Sequence, residues 1–106
     1  MAGEYGVGSK NSREPNLATG LSQREAYLRT LKHGAAMSVK QPRSANANWG
    51  KGGPAMHHYV IYKGGKFEDT VEVWQGTREI LATSRKHFNR STSYNEAVKK
   101  VEGGLD

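Results

Sequence analysis

The clearest alternation of apolar and polar positions runs from Tyr59 to Val101. Three stretches rich in β-branched and aromatic residues predict strands: Tyr59-Val60-Ile61-Tyr62, Thr70-Val71-Glu72-Val73-Trp74 and Glu79-Ile80-Leu81-Ala82-Thr83. Gly64-Gly65 and Gly76-Thr77 fall where hairpin turns are needed. A two-residue second turn sets Val73 opposite Ile80 and Val71 opposite Ala82, leaving Glu72 with Leu81 and Trp74 with Glu79 on the other face. A two-residue first turn pairs Tyr62 with Phe67 but sets Val60 against Asp69, so a longer or bulged connection is the alternative. The period then changes. Tyr94, Ala97, Val98 and Val101 recur at i, i+3, i+4 and i+7 behind a Ser93–Glu96 capping box, and Gly103-Gly104 closes the helix.

Upstream the pattern weakens. Residues 1–20 are rich in Gly, Ser, Asn and Glu without a hydrophobic period, and read as a flexible polar tail. Ser22 and Glu25 form a capping box, and Tyr27, Leu28 and Leu31 share a narrow face, so a helix is expected over 21–37. Gly34 reads as its stop, with Lys32 and His33 near its C-terminus. Residues 38–55, with Pro42, Gly50, Gly52, Gly53 and Pro54, read as a linker carrying a single large apolar group, Trp49. The expected fold is α+β: a three-stranded antiparallel meander over 56–104 packed by a C-terminal helix, with an additional N-terminal helix and a flexible N-terminal segment.

Composition narrows the function classes. The formal net charge is +6, and it is unevenly spread. Residues 1–55 hold eight Lys/Arg against three acids, a net of +5, whereas residues 56–106 come to +1. That balance suits contact with polyanions. There is no cysteine, which excludes disulfides, thiol nucleophiles and thiolate zinc sites. The absence of an apolar run at the start gives no sign of a leader or membrane anchor, so the expected compartment is the cytoplasm.

Within 59–101, Val71-Glu72-Val73, the Gly76 turn, Ile80-Leu81-Ala82-Thr83-Ser84 and Ser93-Tyr94-Asn95-Glu96-Ala97-Val98-Lys99-Lys100-Val101 resemble the small, uncharacterised YegP-like family. The resemblance implies a three-stranded antiparallel sheet with one helix, used in tandem copies or as a paired dimer. It carries no activity across. More loosely, the same element order resembles a plant DNA-binding domain and the arm-binding domain of phage integrases, a likeness of fold rather than of function.

Four groups of residues are candidates for function. Sheet-face reading of DNA needs a row of Arg, Lys, Asn or Gln, and these strands carry Glu68, Asp69, Glu72 and Glu79 instead. A module of about 45 residues with open edges has a small core, so it is expected to complete itself as a homodimer or on a larger protein partner. Trp49, Tyr59, Tyr62, Trp74 and Leu81 are the expected contact groups. A nonspecific nucleic-acid surface is the alternative, built from Arg24, Arg29, Lys32, Lys40, Arg43 and Lys51 in the front half and Arg85, Lys86 and Arg90 before the last helix. His33, His57, His58 and His87 lack metal-ligand spacing, and no Ser or Thr stands in a nucleophile elbow. No catalytic residue, metal or cofactor is therefore expected. The reading from sequence is a small non-enzymatic accessory protein, of the kind phages and mobile elements encode, that docks on a larger protein.

Overall fold

A computed structural model describes residues 3–9, 13–40, 56–76, 78–90 and 92–105. Eight elements follow in order: β1 Tyr5–Ser9, β2 Ala18–Leu21, α1 Gln23–Lys40, β3 Met56–Lys63, β4 Lys66–Gln75, β5 Ile80–Ser84, β6 Thr92–Ser93 and α2 Tyr94–Glu102. The strands form one antiparallel sheet in the order β2-β1-β3-β4-β5-β6. Helix α1 crosses β4, β3 and β1, and α2 lies beside it over β5 and β6.

This corrects the expected fold. The sheet has six strands, not three, and two of the additional strands come from the segment read as a flexible tail. β1 pairs along its whole length with β3, Tyr5 opposite Lys63 through Ser9 opposite Tyr59. Its apolar positions are few, but Val7 faces Ile61 in the core, and both are fully buried. Long-range pairing, which no local pattern encodes, supplies what the Gly-rich sequence lacks.

Helix α1 begins as the capping box requires. The Ser22 N–H donates to Glu25 Oε1 at 3.0 Å, and the Glu25 N–H donates to Ser22 Oγ at 3.1 Å. These bonds hold the Glu25 carboxyl below its usual range. The helix does not stop at Gly34; it continues to Lys40, two residues before Pro42. Gly34 has a different use. A Cβ there would lie 2.6 Å from Val73 Cβ, so the missing side chain lets α1 approach β4 closely. Ala26, Tyr27, Thr30, Leu31, Gly34 and Ser38 form the buried stripe.

The first hairpin combines both expected connections. Gly64 and Gly65 turn at φ +59° and +82°, which suits a tight two-residue loop. Tyr62 pairs with Phe67, and the register then shifts so that Ile61 faces Asp69, leaving Glu68 as the extra residue of a bulge. The second hairpin is longer than expected. Gln75 pairs with Ile80, Trp74 with Leu81 and Val73 with Ala82, a slip of two residues from the expected register. A slip of two keeps every side chain on its face, so Val71, Val73 and Ala82 still point beneath the helices.

Candidate functional site

The connection between β5 and α2 is a wound loop, and its sequence shows why. Ser84 Oγ accepts from the His87 N–H at 2.8 Å and the Phe88 N–H at 3.1 Å, the local bonding that favours Ser at turns. The Phe88 carbonyl accepts from the Ser84 N–H at 3.0 Å and Thr83 Oγ1 at 2.9 Å. Phe88 is thereby tucked into the core, edge-on to Tyr27 with ring centroids 6.3 Å apart. His87 meets the same ring edge-on at 5.2 Å.

Asp69 ties the loop to the sheet. Its side chain is fully buried and accepts three bonds: Tyr27 Oη at 2.7 Å, the Thr70 N–H at 2.7 Å and the Arg85 N–H at 2.9 Å. Burial, then the bond to Asp69, pushes the Tyr27 phenol well above its usual range, so it remains a donor at ordinary pH. Asp69 is consequently an interior anchor and not one of the exposed sheet acids that the sequence suggested. Glu68, on the bulge, pairs with Lys86 at 3.0 Å. Glu72, on the face away from the helices, pairs with His58 at 2.9 Å.

The loop and the last turn of α2 meet. Lys100 Nζ donates to the His87 carbonyl at 2.9 Å. Residues 83–90 line a shallow depression of about 480 Å³. A second, of about 520 Å³, is bounded by Asn89, Thr92, Glu96, Lys99 and Lys100. The two share Asn89. Around them stand Arg85, Lys86, Arg90, Lys99 and Lys100, with Glu96 as the acid on the second rim. At least three loop amides are already bonded internally, so an anion here meets side-chain cations more than a backbone cradle. The amide of Glu96 at the α2 N-terminus is likewise taken by Ser93 Oγ at 3.1 Å.

The sequence points to Arg85, Lys86 and Arg90 but not to Lys99 and Lys100. The available signal is their place in the last turn of α2, where both are exposed while Ala97 and Val101 are buried. The remaining cations are dispersed. Arg24, Arg29 and Lys32 are exposed on α1, and the last two flank a separate depression with Leu28 and His33. Arg43, Lys51 and Trp49 lie outside the described residues, as does the side chain of Lys40.

The apolar contact candidates are largely interior. Tyr59, Tyr62 and Trp74 are only 4%, 5% and 8% exposed, and Leu81 is half-buried. The Tyr59 hydroxyl meets His33 Nδ1 at 2.5 Å, and burial pushes its phenol up to about 12. His57 pairs with Val73 and faces the helices, whereas its neighbour His58 faces the other way. Burial, then the proximity of His33 and His58, holds the His57 imidazole below its usual range. Among the described residues, no group of three or more His, Asp or Glu is placed to hold a metal ion. No family model, no curated protein and no solved structure matches this chain.

Proposed function

We propose that the chain binds nucleic acid without reading its sequence, gripping backbone phosphates with Arg85, Lys86, Arg90, Lys99 and Lys100. The observation that carries this reading is the gathering of those five side chains, from one loop and one helix, around two adjoining depressions. Their company is Thr83, Asn89 and Thr92, the polar groups that accompany Arg and Lys at phosphates. A protein-docking surface calls instead for aromatic anchors, and Tyr59, Tyr62 and Trp74 are spent in the fold. The larger sheet also removes the undersized core that motivated an obligatory partner.

The test is fluorescence anisotropy with labelled oligonucleotides of unrelated sequence. Affinity is expected to be insensitive to sequence and to fall steeply between about 50 mM and 200 mM salt, with a log–log slope of about 0.9 per duplex phosphate contacted. Arg90→Ala and the Lys99→Ala/Lys100→Ala pair each weaken binding uniformly and flatten that slope by about one contact per cation removed. Lys86→Ala has the smaller effect, because Glu68 already holds that charge. No anisotropy change at low salt, or binding that ignores all three variants, overturns the proposal.

A further inference from the structure

Among the described residues, Phe67 is the only Phe, Tyr or Trp side chain left exposed, at 48%. It is no isolated surface residue. It stands one position past Lys66, beside the Gly64-Gly65 turn, and its backbone is fixed by pairing with Tyr62 before the chain bulges at Glu68. The guanidinium of Arg85 lies over the ring, 5.6 Å from its centroid. Arg85 belongs to the cationic loop, and the next residue, Lys86, reaches back to Glu68, next to Phe67 in the chain. Lys63 and Lys66 are exposed on either side of the turn. An exposed ring is therefore built into the margin of the phosphate-binding surface, oriented by one of its cations.

We infer that the surface prefers single-stranded nucleic acid, with an unstacked base lying against the Phe67–Arg85 pair while neighbouring phosphates engage the loop. The inference rests on the nucleic-acid reading above and names its substrate class. In a duplex, base faces are stacked on one another and only phosphates and groove edges are offered. In a single strand every base has a free π-face, and an aromatic ring or guanidinium plane beside a cationic groove is the recurring way to engage it without regard to sequence. A duplex gains from the cations alone; a single strand gains from both.

The full-length protein is titrated into a labelled oligothymidylate and a blunt duplex of equal length. Unmodified protein, Phe67→Ala and Phe67→Trp are compared, with thermal melts of each confirming the fold. Phe67→Ala is expected to weaken single-strand binding about 5- to 150-fold, the range for losing one stacked base, and to leave duplex affinity within about twofold. Phe67→Trp keeps single-strand affinity, and the new indole is quenched by the single strand but not by the duplex. Equal loss on both ligands, or no loss on either, overturns the inference while the phosphate-binding reading stands. Failure of the unmodified protein to bind either ligand removes that reading, and this inference with it.

Discussion

Asp69 shows how much one buried side chain organises. It accepts from a helix (Tyr27), its own strand (Thr70) and the cationic loop (Arg85), so α1, β4 and the loop register against one another through a single group. Buried donors that lose their acceptor keep the desolvation cost, about 1–3 kcal/mol each. Tyr27→Phe removes one donor with its bond and is expected to cost about 1–2 kcal/mol. Asp69→Ala strands three donors at once and is expected to cost about 3 kcal/mol or more, whereas Asp69→Asn keeps an acceptor for the two backbone N–H groups and falls between. Urea denaturation at neutral pH measures all three, and a smaller loss for Asp69→Ala than for Tyr27→Phe contradicts the anchoring role. The sequence could not reveal this. Alternation with Val71 and Val73 places Asp69 on the inward face, but two of its donors come from α1 and the loop, elements that no local pattern joins to β4. The helix caps, by contrast, were legible because they act within four residues: Ser22 and Glu25 form both bonds of a capping box, and Ser93 Oγ accepts from the Glu96 N–H.

At the scale of elements, what was legible was parity rather than register. Val71, Val73 and Ala82 had to share a face whichever way the second hairpin slid by two, so their burial followed from alternation alone. The turn length was not encoded with equal force, and a connection over 76–79 took the place of the expected two residues. Gly34 is the opposite case: locally it looks like a helix stop, yet the packed partner decides its role. Placing Ala there gains about 1 kcal/mol of helix propensity. That gain is outweighed, because the new Cβ meets Val73 Cβ at 2.6 Å and overpacking costs about 1–3 kcal/mol. Gly34→Ala is therefore expected to destabilise, and Gly34→Val more so. Combining Gly34→Ala with Val73→Gly, which removes the opposing Cβ together with both methyl groups, tests the contact itself. If the helix–strand approach is the cause, the double variant is more stable than the two separate losses add up to. Strict additivity in thermal or urea unfolding would place the cost elsewhere.

For the whole molecule, the strand-rich half does not close its core by itself. The inward face of β3 and β4 is covered by Ala26, Tyr27, Leu31 and Gly34 of α1, α2 lies over β5 and β6, and β1 completes the sheet beyond β3. This went unread because the covering residues are spread through a segment whose own pattern is weak: Tyr5 and Val7 alternate with glycines, and α1 carries a narrow stripe broken by Thr30 and Gly34. The candidate site was hidden in part for the same reason. Arg85, Lys86 and Arg90 are adjacent in sequence, but Lys99 and Lys100 join them only once α2 docks beside α1 and Lys100 reaches His87. A fragment of residues 56–106 therefore exposes Val71, Val73 and Ala82 and leaves the edge of β3 unpaired. Each fully buried aliphatic side chain returned to water forfeits about 1.5–3 kcal/mol, enough in sum to exceed the margin of a small domain. The fragment is expected to lack a cooperative unfolding transition, and mixing it with residues 1–55 to restore one along with the near-UV signal of Trp74. A fragment that melts cooperatively alone would mean that the three strands and α2 suffice, and that β1 and α1 merely decorate them. Because α1 also holds the loop through Tyr27, the same fragment should lose oligonucleotide binding even though it retains Arg85, Lys86, Arg90, Lys99 and Lys100. Charge then counts only once the two halves have placed it.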